Sequence, residues 1–161
     1  MMKPITEFEN EKKTRIASYQ NDHKAQSIAR DFVVQSGYNK YTYNFSWMGR
    51  PIIQYPQDMV IMQELIWEQQ PDLIIETGIA HGGSLVFYAS ILQLIGKGRV
   101  IGIDIDIRKH NSDAIENHPM FHRIHMIEGS SINSSTIEKV RSEIKDAKNV
   151  MVCLDSFHTH E

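Results

Sequence analysis

From Pro71 onward the chain alternates apolar runs with helical segments closed by glycine, and this alternation constrains the fold more than any other feature. Leu73-Ile74-Ile75 is a continuous apolar run, as expected of a strand buried on both faces. Gly82-Gly83-Ser84 then opens a helix that runs to Ile95 and is closed by Gly96 and Gly98. Arg99-Val100-Ile101-Gly102-Ile103-Asp104 reads as a second strand, 122–127 as a third and 149–154 as a fourth. A short helix over 112–117 and an amphipathic one over 134–147, capped by Ser134 or Ser135, fill the gaps. Strands separated by helices at this spacing imply right-handed crossovers and a parallel sheet. The expected fold class is therefore α/β, a Rossmann-like doubly wound parallel sheet with strand order 3-2-1-4, counting these four strands along the chain.

The first part of the chain is different. Ile16, Tyr19, His23, Ile28, Phe32 and Val33 recur at helical spacing, which predicts one helix over 5–36 with Gly37 as its stop. Residues 38–56 carry Tyr41, Tyr43, Phe45, Trp47 and Tyr55 between Gly49, Pro51 and Pro56, and read as a loop with aromatic anchors. A helix over 57–70 is ended by Pro71. The expected organisation is an N-terminal helical extension, 1–37, and a Rossmann-like domain, 38–161.

Composition removes several function classes. The chain has 161 residues, 41% hydrophobic and 23% charged, with a formal charge of −3, so no basic field drives binding to a phosphate backbone. No nucleic-acid partner is expected. A single cysteine, Cys153, excludes an intrachain disulfide and a multi-cysteine zinc site, and its apolar strand context predicts an inert thiol. No apolar run approaches the ~20 residues of a membrane span, and the N-terminus lacks the apolar core of a signal peptide. The expectation is a soluble cytoplasmic protein.

Chemistry concentrates in Glu76-Thr77-Gly78-Ile79-Ala80-His81-Gly82-Gly83-Ser84, at the end of the first sheet strand and the start of a helix. That is the ligand crevice of an open α/β sheet. Ala80 stands where a dinucleotide fingerprint needs its second glycine, and the Gly-Lys-Ser/Thr of a P-loop is missing. Glu76 would repel a pyrophosphate but suits an ammonium, while Ser84 and the first helical amides suit a carboxylate. A ligand with an amino-acid end fits this turn best. Asp104 ends the second strand where a carboxylate accepts bonds from ribose hydroxyls, with Asp106 as the alternative. Gly129-Ser130-Ser131 follows the third strand and either borders a base or caps a turn.

Taken together, Glu76 to Ser84, Asp104 and Gly129-Ser130-Ser131 resemble the S-adenosylmethionine site of class I methyltransferases, with a turn similar to that of catechol O-methyltransferase-like enzymes. More specifically, Trp47-Met48-Gly49-Arg50-Pro51-Ile52, Tyr55-Pro56-Gln57-Asp58 and the closing Leu154-Asp155-Ser156-Phe157-His158-Thr159-His160-Glu161 resemble the cephalosporin hydroxylase and rhamnosyl O-methyltransferase family. The resemblance covers 43–161.

It implies S-adenosylmethionine as cofactor, with Glu76 and Ser84 on the methionine ammonium and carboxylate. Gly78, Ala80 and Gly82 would shape the turn, Asp104 would bind the ribose, and Ser130 or Ser131 would border the adenine. Asp155 matches a carboxylate that holds Mg²⁺ in metal-dependent members. His158 falls where the catechol enzymes place a basic lysine, so Asp155 and His158 are the catalytic candidates. Ser130 occupies a position at which some relatives supply another acidic ligand, which leaves the metal open.

The implied activity is O-methylation of a sugar or small-molecule hydroxyl. The rival reading is a non-catalytic S-adenosylmethionine-binding module completed by a partner chain. Only four of the seven strands usual for class I methyltransferases are legible, and the outer edge of the fourth is apolar. The chain is therefore expected to form a homo-oligomer or to belong to a longer methyltransferase.

Overall fold

The computed structural model describes residues 4–145 and 147–156. The chain divides after Tyr41 into two units. In the first, α1 (Pro4–Tyr19) and α2 (His23–Tyr38) replace the single helix expected over 5–36. The break has a local cause. The Asp22 side chain accepts the Ala25 N–H at 2.9 Å and starts a new helix. The Gln26 amide caps the old one by donating to the carbonyls of Tyr19 and Gln20, both at 2.9 Å. Gly37 is not the stop either: α2 runs through it, and Asn39 provides the C-cap.

A 3-10 turn, Tyr41–Asn44, spans the division, and the second unit continues with a hairpin of β1 (Phe45–Trp47) and β2 (Arg50–Ile52) where a loop was expected. Met48 and Gly49 both take positive φ, 47° and 86°, so they form the two-residue turn that matches strand twist. The Trp47 indole fixes the hairpin to the following body, with its N–H donating to Ser90 Oγ at 3.0 Å and its ring edge-on to Phe87 at 4.9 Å.

Then come α3 (Pro56–Gln69), β3 (Leu73–Thr77), α4 (Gly83–Ile95), β4 (Arg99–Asp104) and α5 (Lys109–Glu116). A 3-10 turn at Phe121–Arg123 takes the start of the expected third strand and delays β5 to Ile124–Glu128. The last elements are α6 (Ser134–Ile144) and β6 (Val150–Leu154). The N-cap of α6 is Asn133, whose side chain accepts the Ser135 N–H at 3.0 Å, rather than either expected serine.

The four long strands form one sheet in the order β5-β4-β3-β6, every pair parallel, with Leu73 opposite Arg99 and Val150. This is the order read from the sequence. Helices cover both faces. On one side Ile74, Val100 and Ile124 pack with Leu85, Val86, Leu92 and Ile115, and with Ile52 of the hairpin. On the other, Leu73, Ile75, Ile101, Ile103 and Ile127 pack against Val140 and Ile144 of α6. Each fully buried aliphatic side chain contributes roughly 1.5–3 kcal/mol of transfer free energy. The central strand β3 is therefore the anchor, since all five of its residues are buried. At the edge, β6 leaves Val152 and Leu154 exposed, at 55% and 77%. No helix among the described residues is long and apolar enough to cross a membrane.

Candidate functional site

A cleft of about 1060 Å³ opens at the carboxyl end of the sheet, where β3, β4, β5 and β6 all stop. The chain leaves β3 through the turn at 78–82 and enters α4 at Gly83. Gly78 takes φ +95°, and a Cβ there would lie 1.9 Å from the Asp155 carbonyl oxygen, so only glycine fits. Gly83 is pressed against the hairpin in the same way, since a Cβ there would lie 2.1 Å from the Pro51 carbonyl oxygen. These contacts bring the hairpin, the turn and the end of β6 to one place.

Of the residues expected to contact a cofactor, Gly78, Ala80, Ser84, Asp104, Ser130 and Ser131 line this cleft, as does Asp155. Gly82 instead packs against Ile115. Glu76 lies behind Ser84 and is fully buried. The Ser84 hydroxyl donates to its Oε2 at 2.6 Å, while Oε1 has no hydrogen-bond partner. Burial pushes the Glu76 carboxyl up to about 8; the nearby Asp155 charge adds to this, and the Ser84 and Tyr88 hydroxyls oppose it. Gln54 Oε1, on the cleft wall, is also buried without a donor. Sequence reading missed Gln54, because nothing local marks a glutamine after an apolar pair as a wall residue.

Asp104 does more than end a strand. Its Oδ2 accepts the N–H groups of Ile79 at 2.8 Å and Ala80 at 3.3 Å, and its Oδ1 accepts the Asp106 N–H at 3.2 Å. A carboxylate offers about four lone-pair sites, so one direction remains for a further donor. Asp106 points elsewhere and pairs with Arg108 at 3.8 Å on the surface.

Two more residues hold the turn, and neither was singled out from the sequence. The Arg50 guanidinium donates through Nε and Nη2 to the His81 carbonyl, at 3.0 and 2.5 Å, and through Nη2 to Asn111 Oδ1 at 3.1 Å. The Asn111 amide in turn donates to the Ala80 carbonyl at 2.9 Å. The two-residue Met48-Gly49 turn before Arg50 was the available signal, because a tight hairpin turn fixes where the next side chain points.

The remaining candidates fare differently. The Asp155 N–H donates to the Thr77 carbonyl at 2.9 Å, continuing the β3–β6 ladder beyond Leu154. His158 lies outside the described residues. Burial pushes the Cys153 thiol up to about 11, so this half-buried group stays protonated at neutral pH. Among the described residues no three His, Cys, Asp or Glu side chains gather as a metal site.

The sequence profile of the family described as Rhamnosyl O-methyltransferase/CmcI matches residues 39–161. The chain belongs to this family. It is 30% identical over 129 residues to the rhamnosyl O-methyltransferase of Mycobacterium leprae (strain TN), covering 76% of this chain and 52% of that one. The rhamnosyl O-methyltransferase of Mycobacterium tuberculosis (strain ATCC 25618 / H37Rv) is 30% identical over 134 residues, covering 78% and 53%. The chain thus spans about half the length of the curated relatives it matches.

Among solved structures, an apo-structure of CmcI superposes with a TM-score of 0.57 at 22% identity, covering 73% of this chain and 48% of that one. A CmcI structure with Mg and SAM gives 0.57 at 21%, with the same coverage. These similarities establish the class I methyltransferase fold for the family member described here.

Proposed function

We propose that the cleft binds S-adenosylmethionine and that the chain serves O-methylation of a hydroxyl on a sugar or other small molecule. The observation that carries this reading is the pair of buried acceptor oxygens without donors, Glu76 Oε1 and Gln54 Oε1, beside a helix N-terminus. Acceptors starved of donors suit an ammonium, and the first backbone amides of α4, that of Ser84 included, suit a carboxylate, so the two ends of an amino acid have separate places. The remaining acceptor direction of Asp104 suits a ribose hydroxyl, and Ser130 and Ser131 border the far side of the cleft. Family membership points the same way, since relatives in the family are named rhamnosyl O-methyltransferase.

The chemistry supplied by the bound donor is a methyl group on a positively charged sulfur. The residues of this chain then have to orient it, exclude water and remove the acceptor proton. Glu76, Ser84 and Asp104 would fix the donor's two ends. Asp155, on the cleft wall, is proposed to face the acceptor hydroxyl, and His158 is the proposed base. Mg²⁺ is carried by a CmcI relative, and Asp155 would be its ligand here. One hard carboxylate fits such an ion only as a first ligand, and the remaining oxygen donors would have to come from elsewhere.

Calorimetry with S-adenosylmethionine and with S-adenosylhomocysteine tests the reading. Binding of both with one site per chain supports it, and a flat titration at millimolar ligand rejects it. Transfer of labelled methyl to a rhamnosyl acceptor, compared with a buffer control, decides between an enzyme and a cofactor-binding module.

A further inference from the structure

Three side chains from three separate elements converge on four consecutive peptide units of the turn after β3. Asp104, at the end of β4, holds the Ile79 and Ala80 N–H groups. Asn111, on α5 and only 5% exposed, holds the Ala80 carbonyl. Arg50, on β2, holds the His81 carbonyl with two donors and Asn111 with one of them. Between these anchors Ala80 sits at φ +46°, a left-handed conformation that strains a residue with a Cβ. A glycine would take that conformation without cost. Here the strained shape persists because the polar anchors on both sides of Ala80 over-determine it.

The cleft side of the same turn carries Ser84 and the opening amides of α4, while Arg50 itself is outside the cleft lining. The strand that carries Arg50 continues directly into Pro51, whose carbonyl leaves no room for a Cβ on Gly83. The hairpin and the N-terminus of α4 are therefore one packed contact.

We propose that Arg50 and Asn111 are positioning residues that lock the turn at 79–82, so that it grips the amino-acid end of an S-adenosyl ligand and leaves the nucleoside end unaffected. This rests on the methyl-donor reading above. The role needs arginine rather than lysine, because a planar fork places two N–H groups on one carbonyl and keeps one of them on a neighbouring amide. A lysine ammonium on a flexible stem cannot reproduce that geometry.

The test compares two ligands that share a nucleoside and differ in the amino-acid arm, S-adenosylhomocysteine and 5′-methylthioadenosine. Their affinities are measured by calorimetry for the wild type, Arg50→Lys and Asn111→Ser, with thermal melts alongside. Each variant is expected to lose about tenfold in affinity for S-adenosylhomocysteine, the scale of one hydrogen bond, and to bind 5′-methylthioadenosine within about twofold of wild type. A purely structural role would weaken both ligands together, and that result overturns the proposal. Unchanged affinity for both ligands in a wild type that binds S-adenosylhomocysteine also overturns it, while leaving the methyl-donor reading intact. A wild type that binds neither ligand overturns both. Should Arg50→Lys fail to fold, Asn111→Ser carries the comparison, because it leaves the two Arg50 bonds to the His81 carbonyl in place.

Discussion

The Ser84 hydroxyl donates to Glu76 Oε2 across 2.6 Å, joining the first turn of α4 to the buried penultimate residue of β3. This bond is the carboxyl's one direct partner from the cleft side. The Tyr88 hydroxyl also favours the ionised form, but burial and the nearby Asp155 charge outweigh both hydroxyls and raise the pKa.

A pH dependence of stability follows from that raised value. A carboxyl that titrates near 8 in the folded chain and near 4.5 when unfolded holds more protons folded than unfolded between those values. Its contribution is fully present below about pH 4.5 and is lost as pH rises through 8. Thermal melts should show Tm falling between pH 5 and 8.5, and Glu76→Gln should flatten that slope and melt higher than wild type at pH 8.5. A wild-type Tm that rises over this window would contradict the assignment.

Asp104 is expected to matter twice, for the turn and for the ligand. Asp104→Asn keeps the shape but replaces one acceptor oxygen with a donor, which opposes the N–H groups of Ile79 and Ala80. S-adenosylhomocysteine affinity should fall by roughly 1.5–3 kcal/mol, the range for charge-assisted bonds. Asp106→Asn, beside Arg108 on the surface, should leave it unchanged. Calorimetry on the two variants reads the difference, and the reverse pattern would reassign the ribose carboxylate.

Gly78→Ala should be severe. The new methyl meets the Asp155 backbone at 1.9 Å while φ stays at +95°, so β3 and β6 must separate at their carboxyl ends. We expect a loss of at least about 3 kcal/mol by urea unfolding, in the range of strain and overpacking combined. Gly37→Ala, where nothing lies within 4 Å and the residue is helical, should stabilise by up to about 1 kcal/mol.

The exposed face of β6 should make this 161-residue chain self-associate. Val152 and Leu154 are apolar, more than half exposed and on an edge strand, and such edges pair with other chains. Sedimentation velocity is expected to show a concentration-dependent species at micromolar loading, and Val152→Lys should shift it toward the monomer. A wild type that sediments as a monomer across that range would show the edge to be inert.

Much of the fold was readable from the strand side. Leu73-Ile74-Ile75 and Val100-Ile101-Gly102-Ile103 carry no polar side chain because both faces of a central parallel strand are covered, and their short length between turn residues favours strand over helix. The hairpin was not readable. Phe45 to Ile52 mixes aromatics with glycine and proline, and only packing of Trp47 against Phe87 and Ser90 decides that it pairs rather than wanders. The split of the first helix at Asp22 was hidden for another reason: a helical apolar period runs straight through it, whereas the stop depends on two side chains capping backbone groups.

The sequence by itself determined the α/β class, the order of the four parallel strands and the turn where Glu76, Gly78 and Ser84 stand, because periodicity and glycine act on residues close in the chain. Tertiary structure alone decided what those residues face. Glu76 is displaced toward the protonated form by burial, Asp104 is shared between the turn and the cleft, and Arg50 reaches His81 across 31 positions of sequence. Desolvation and hydrogen-bond geometry depend on neighbours that are distant along the chain, so they exist only once the sheet, the hairpin and α5 have closed around the turn.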